Sequence, residues 1–411
     1  MHLAIVHDWL VTAGGGENVL SEALKAFPGT PVSALIDKMS LDDHARLGIP
    51  QARTTAMQGI PGIERSYRNW LPLMPAAMRT LDVRSANTVL SISHAVAKAP
   101  RVHADQKLLC LCLSPMRYAW DLRDQYLAES GNDHGVRGLL AGALLDHMRE
   151  WDRATSARVD SYASISYFIA DRVRRAYGRE SVVIYPPVDT EFYSPEVVPA
   201  ESGRFTADVR ESVPPAPYYV TASRFVPYKR VDLIVRAFAA DGKRGLVVIG
   251  DGPDDAKVRA AARLSGSAAG TAAGTAAGSA ATAANITFVG HANRQELRAL
   301  VRGARAFVFA AEEDFGIAPV EAQACGVPVI AYGKGGALET IVADGPAPTG
   351  VFFGKQTVES VLDAVTRFES ESFSPAACRA NAERFSVARF RAAMTSWVTA
   401  CGAMSVAART W

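Results

Sequence analysis

Ala306-Phe-Val-Phe-Ala-Ala-Glu-Glu-Asp-Phe-Gly-Ile-Ala-Pro-Val-Glu-Ala-Gln-Ala-Cys-Gly326 decides how the chain folds. The apolar run Ala306 to Ala311 has the length and residue types of a strand buried on both faces, and it stops at three consecutive acids, Glu312, Glu313 and Asp314. A Phe-Gly turn follows. Pro319 suits the first position of a helix, and Gly326 with Pro328 just beyond suits its end. This reading places Glu321 in the helix's first turn. Strand, glycine turn and helix in that order set carboxylates and free backbone N–H groups at the carboxyl edge of a parallel sheet, where doubly wound sheets bind ligands. The acids there either accept hydrogen bonds from sugar and ribose hydroxyls or complement helix dipoles.

The same alternation extends in both directions. Leu3 to Val6 reads as a strand, followed by Gly14, Gly15 and Gly16 and the amphipathic run Glu17 to Phe27. Such a loop lets a backbone approach a phosphate or sugar, although the G-x-G-x-x-G spacing of dinucleotide binding is missing. Val32 to Ile36 is a second strand, and the stretch carrying Arg65, Tyr67, Arg68 and Trp70 up to Pro75 reads as irregular, suited either to a membrane interface or to a packed loop. Thr88 to Ser93 is a strand ending at His94, a histidine that is either a structural hydrogen-bonder or part of the ligand edge. Leu108 to Leu113 leads into Arg117, Tyr118, Trp120 and Asp121, which line a groove or join the core. Val136 to Val159 is an amphipathic scaffold helix carrying Leu140, Leu144, Met148 and Trp151.

A second set opens with the strand Tyr218 to Ala222 and a turn holding Arg224 and Lys229, at the same edge as Glu313. Fixed cations there suit a departing diphosphate, on which negative charge grows. Leu246 to Ile249 runs into Gly250-Asp-Gly252, and Ile286 to Gly290 into His291, with Asn293 and Glu296 forming a capping box. The tract 266–284 is almost wholly Ala, Gly, Ser and Thr and reads as an insertion that buries no core. Together these patterns give an α/β fold of two doubly wound Rossmann-like domains facing across a cleft. The expected division is 1–195, a linker 196–217, a second domain 218–384, and a tail 385–411 packing back on the first domain.

Composition restricts function only loosely. The 411 residues, 49% hydrophobic and 21% charged with a formal net charge of +2, are enough for two cores and show no basic run that calls for nucleic acid. Five cysteines, Cys110, Cys112, Cys325, Cys378 and Cys401, lack zinc or redox spacing, and the first two read as buried small hydrophobes. The start lacks the pattern of a signal peptide, so a cytoplasmic location is expected, with any membrane contact peripheral at the inner face.

Glu313-Asp-Phe-Gly-Ile with Glu321-Ala, Gly326-Val-Pro-Val-Ile-Ala, and Gly335-Gly with Glu339 together resemble the retaining group-1 glycosyltransferases of GT-B fold. Met116-Arg-Tyr-Ala-Trp and Glu312-Glu-Asp-Phe-Gly are similar to the mannosyl-transferring branch of bacterial polysaccharide biosynthesis. The resemblance implies that Arg224 and Lys229 hold a diphosphate, that backbone groups at Phe315, Gly316 and Ile317 help hold phosphate and sugar, and that Glu313 binds sugar hydroxyls and Glu321 the ribose. It further implies that Gly15 and Gly16 lie over phosphates and acceptor, that Gly252 lies near the nucleotide, that His291 meets the base through its backbone, and that His94 faces the donor sugar from the opposite lobe. The implied donor is GDP-mannose and the acceptor a glycan, free or on a polyprenyl diphosphate. No cofactor and no metal are expected, since no D-x-D signature lies near these loops. A UDP-sugar donor, a nucleotide-sugar epimerase and a catalytically silent scaffold are the alternatives. A dehydrogenase is disfavoured by the missing fingerprint.

Overall fold

The computed structural model describes residues 2–120, 127, 135–196, 217–263 and 283–403. Asp121, residues 197–216 of the expected linker, most of the Ala/Gly/Ser/Thr tract and the end of the tail lie outside them. The chain divides into two units, 1–187 with 387–411, and 188–386.

In the first unit, β1 (Leu3–His7), β2 (Val32–Ala34), β3 (Arg53–Thr54), β4 (Thr88–Ser93), β5 (Lys107–Cys112), β6 (Ser161–Ser164) and β7 (Ser181–Val183) form one parallel sheet in the order β3-β2-β1-β4-β5-β6-β7. Every residue of β4 and β5 is buried, the polar Thr88, Ser91, Ser93 and Lys107 included, as in strands covered on both faces. Leu3 pairs with Thr88 and Leu90 with Leu109, fixing the three central strands in register. The chain builds outward from β1 through β2 to β3, then returns to lay β4 on the other side of β1. That reversal makes a switch point between β1 and β4.

Helix α1 (Gly15–Ala26) follows β1, α2 (Gly135–Ser156) precedes β6, and α3 (Tyr167–Tyr177) precedes β7. The stretch expected to be irregular is instead a series of short helical turns over Ile63–Ser66, Tyr67–Leu73 and Met74–Met78. Ile63, Tyr67, Leu71, Met74 and Met78 recur at helical spacing and all are buried, so the apolar face settles the conformation. On α2 the buried residues include Leu145, Met148 and Asp152, while Leu140 and Leu144 of the expected apolar spacing are exposed.

The second sheet contains β8 (Tyr218–Ala222), β9 (Gly245–Ile249), β10 (Ile286–Gly290), β11 (Ala304–Phe309), β12 (Val329–Tyr332) and β13 (Gly350–Phe353), in the order β10-β9-β8-β11-β12-β13. The helices that matter below are α4 (Val231–Asp241), α5 (Arg294–Arg302), α6 (Ile317–Ala324), α7 (Val358–Ser370) and α8 (Pro375–Ala382). Phe238, Val248, Val308, Ile330, Phe353 and Val365 share one core. Burying a side chain the size of Phe238 contributes about 2–3 kcal/mol. Here the switch point falls between β8 and β11.

Residues 188–195 belong to this second unit, so the division comes earlier in the chain than the expected 195. Val188 N–H donates to Phe385 O at 2.9 Å, Arg294 pairs with Asp189 at 2.9 Å, and Arg298 donates to Phe192 O at 2.7 Å while its guanidinium lies 4.0 Å from the Phe192 ring. The last helix, α9 (Val387–Ala403), is part of the first unit. It buries Phe390, Met394, Trp397 and Val398, Arg391 pairs with Glu22 of α1, and Trp397 Nε1 donates to Ser161 Oγ at 3.1 Å.

Candidate active site

Both switch points collect polar side chains. In the second unit, β8 runs into the loop Ser223–Arg230 with a single turn of 3-10 helix at Pro227–Lys229, and β11 runs into Ala310–Gly316. Lys229 Nζ and Glu313 Oε1 form an ion pair across the gap between these two loops, with side chains 19% and 15% exposed. Arg224, on the same loop as Lys229, is exposed. The expected cation and the expected hydroxyl-binding acid are thus brought together.

Three glycines allow the surrounding loops to stack. A Cβ on Gly252, whose φ is 153°, would stand 2.4 Å from Phe225 O. One on Gly250 would stand 1.9 Å from Ser223 O, and one on Gly336 2.3 Å from Phe315 Cα. Gly336 N–H donates to Glu313 O at 2.8 Å, and Gly335 forms an isolated parallel bridge with Glu313. The loop after β12 therefore braces the backbone from which Glu313 projects. Phe315 is buried, its ring 5.3 Å from that of Phe385, so only its main chain is suited to a ligand. His291, at the end of β10, is exposed.

Helix α6 begins at Ile317, not at Pro319, because Gly316 takes a left-handed φ of 86° and turns the chain into the helix earlier. The N–H groups of Ile317 and Ala318 then lie in the first turn, where position alone denies them an intrahelical acceptor. Glu321 is correspondingly outside the first turn. Burial pushes its carboxyl up to about 7, against the pull of Arg294 and the Tyr193 hydroxyl, with Asp189 adding to the rise.

In the first unit the glycine loop opens α1, with Gly14 as N-cap and Gly15 and Gly16 as its first residues. Glu17 Oε2 accepts the Gly14 N–H at 2.9 Å, and Glu17 Oε1 lies 3.9 Å from His7 Nε2, too far for a hydrogen bond but close enough to couple their charges. A Cβ on Gly16 would stand 3.7 Å from the His7 ring, so the loop rests on that imidazole. His7 Nδ1 donates to Ile92 O at 3.1 Å. Burial opposes charge on His7, but the Glu17 and Asp8 carboxylates outweigh it and hold its pKa above the ordinary imidazole value.

Asp8, fully buried at the end of β1, accepts four backbone N–H groups from the turn after β4: His94 and Ala95 on Oδ2 at 2.6 and 3.1 Å, Val96 and Ala97 on Oδ1, both at 2.6 Å. Although burial raises its pKa, His94, His7 and these donors pull it below the usual carboxylate value. His94 Nδ1 lies 3.1 Å from Asp8 Oδ2, its side chain is 29% exposed, and the Trp9 ring stands edge-on at 4.6 Å. Burial lowers the pKa of His94, with Asp8 opposing.

Asp8, His7 and Glu17 escaped the sequence reading. The available signal was a charged pair, His7-Asp8, at the end of an otherwise apolar strand. Trp120 belongs to a packed network: its Nε1 donates to Asp152 at 2.9 Å, the Tyr177 hydroxyl donates to the same oxygen at 2.7 Å, and Lys98 pairs with Asp152. Cys110 and Cys112 are buried free thiols, and burial pushes the Cys110 thiol up to about 12. Among the described residues no cluster of histidines, cysteines and acids has the makings of a metal site, and no helix is long and apolar enough to cross a membrane.

Residues 274–385 match the family described as Glycosyl transferases group 1. The GDP-mannose-dependent alpha-(1-6)-phosphatidylinositol monomannoside mannosyltransferase of Mycobacterium tuberculosis is 31% identical over 222 residues, 50% of this chain and 51% of that protein. The D-inositol 3-phosphate glycosyltransferase of Mycobacteroides abscessus is 31% identical over 247 residues, 59% of this chain and 50% of that protein. The chain thus spans about half the length of the curated relatives it matches. Among solved structures, Anabaena Alr3699/HepE in complex with UDP and glucose superposes with a TM-score of 0.66 at 16% identity, covering 97% of this chain and 99% of that one. The lipopolysaccharide outer core galactosyltransferase WaaB in its apo form gives 0.63 at 15%, covering 98% and 100%. Residues 274–385, all in the second unit, thus match the group 1 glycosyl transferases, and the two parallel-sheet Rossmann-like units have GT-B glycosyltransferases as structural neighbours.

Proposed function

We propose that the protein is a retaining glycosyltransferase that moves a hexose from a nucleoside diphosphate sugar to a glycan or lipid-linked glycan hydroxyl, with GDP-mannose as donor. The observation that carries this reading is the Lys229–Glu313 ion pair at the β8/β11 switch point, with Arg224 on the loop that bears Lys229 and α6 opening just after Glu313. Without ligand the two charges satisfy each other. An incoming diphosphate competes for the ammonium and releases Glu313 to accept sugar hydroxyls. As the bond from the anomeric carbon to the β-phosphate oxygen breaks, charge grows on the leaving group beside Lys229, Arg224 and the Ile317 N–H, and fixed positive groups of this kind supply most of the acceleration. The acceptor oxygen takes the vacated bond on the same face, and its proton passes to the diphosphate.

Glu321 receives the ribose, Gly252 and the His291 main chain border the nucleotide, and His94, with Gly15 and Gly16, serves sugar, phosphate or acceptor on the first unit. Positive charge comes from side chains and helix, so the reaction is read as metal-independent. Mannose and guanosine rest on the GDP-mannose dependence of the Mycobacterium tuberculosis relative that is 31% identical. A polysaccharide-assembly role beside the inner membrane face, in the cytoplasm, belongs to the same reading.

The test is turnover of GDP-mannose and UDP-glucose with and without polyprenyl-diphosphate-linked glycans, in excess chelator, with the product's anomeric configuration read by NMR. Acceptor-dependent release of GDP and an α-linked product support the proposal. Conversion of donor without acceptor points to an epimerase, and activity restored only by added metal overturns the metal-independent step.

A further inference from the structure

Arg230 is the one non-glycine residue with a left-handed backbone among those described, with φ 52°. A side chain there is strained, and such strain persists only where the surroundings hold it. The residue directly follows Lys229, closing the turn Pro227–Lys229 and opening α4, so its backbone sets the direction in which Lys229 leaves the loop. Glycine would adopt the same φ without strain. The geometry alone therefore gives no reason for arginine.

The reason lies at the far end of the side chain. Arg230 Nη1 donates to Gln356 Oε1 at 3.1 Å, and its Nε lies 3.7 Å from Asp232 Oδ1. The other end of the same amide, Gln356 Nε2, donates to Ala310 O at 2.8 Å. Ala310 directly follows β11, just ahead of Glu313, and Gln356 comes from the loop between β13 and α7. One amide thus ties the loop bearing the ammonium to the strand end bearing the carboxylate. Glutamine suits the place because its amide accepts and donates at once.

We infer that Gln356 is a positioning residue, acting through Arg230 as a strut that holds Lys229 in register with Glu313 for diphosphate binding; this rests on the function proposed above. Neither residue touches the reacting atoms. The strain at Arg230 is tolerated because its guanidinium reaches Gln356.

Calorimetric titration of wild type, R230G, Q356A and the double variant with GDP and with UDP, alongside melting temperatures, tests the strut. Wild type is expected to bind one of the two nucleotides. R230G should melt at or above the wild-type temperature, since strain is removed, yet bind roughly five- to tenfold more weakly. Q356A should lose affinity by the same factor. The double variant should bind no more weakly than either single one, since both changes cut one connection. Q356E, which keeps the acceptor for Arg230 but loses the donor to Ala310, should behave like Q356A. If R230G melts lower than wild type, Q356A, which leaves residue 230 intact, carries the test. Unchanged affinity in Q356A, or losses that add in the double variant, would overturn the strut while leaving the site assignment standing. A wild-type protein that binds neither nucleotide overturns the assignment, and the strut with it.

Discussion

Asp8 Oδ2 lies 3.1 Å from His94 Nδ1, and the same carboxylate fastens the turn from which His94 projects by accepting its N–H and the three that follow. A carboxylate that close repels a ring lone pair, so Nδ1 carries the proton and Nε2 is left as an acceptor. With its pKa lowered, chiefly by burial, His94 is expected to be neutral at about pH 7. Nitrogen-15 NMR of histidine-labelled protein should show the Nδ1–H tautomer titrating below the ordinary imidazole value. An imidazolium signal at pH 7, or the Nε2–H tautomer, contradicts this.

Replacing Asp8 by alanine leaves four backbone donors without their acceptor, at a cost of about 3 kcal/mol or more. The carboxyl's pKa is depressed in the fold, so the stability it contributes is fully present above the unfolded value of 3.8 and is lost as pH falls through the lower native one. Urea unfolding between pH 2 and 7 should show an acid limb that is steeper in wild type than in D8A, where the other depressed carboxylates remain. Parallel pH profiles for the two proteins would sink the assignment.

Glu321 sits at the opposite extreme. Its carboxyl is raised to about 7, so the fold favours the neutral form: that preference is fully present below the unfolded value of 4.5 and is lost as pH rises through about 7. Ribose hydroxyls donate best to the ionised form, so nucleotide binding should release a proton and tighten between pH 6 and 8. E321Q should bind with little pH dependence. Calorimetry in buffers of different ionisation enthalpy measures the proton directly, and a wild type that takes up protons on binding refutes the role.

Gly336 tests the stacking of the site loops. Its φ is −63°, ordinary for any residue, so alanine there brings no backbone strain, only a methyl 2.3 Å from Phe315 Cα. G336A is expected to lose about 2–3 kcal/mol of stability and most nucleotide affinity together. Wild-type behaviour in both measurements would show that this brace is dispensable.

Much of this arrangement is legible in the sequence. β4, β8 and β10 fall where the sequence reads them, because each is a short β-branched or aromatic run closed by a turn or a polar residue. The capping box at Asn293 and Glu296 was equally plain, since both of its residues are local. The left-handed Gly316, which starts α6 before Pro319, was not: glycine permits that conformation without demanding it. The exposed Leu140 and Leu144 show that helical periodicity does not say which apolar stripe finds a partner. Asp8 with His94 and Gln356 with Ala310 join residues far apart in sequence, so only the sheet order brings them together.

The central claim is that Lys229, paired with Glu313, grips a diphosphate. Calorimetric titration of GDP-mannose into wild type, K229A and E313Q tests it most directly. The account predicts micromolar binding by wild type, a loss of roughly a hundredfold or more in K229A, where the leaving group's cation is gone, and a smaller loss in E313Q, which forfeits sugar contacts but keeps the ammonium for phosphate. Binding by K229A as tight as by wild type would contradict it.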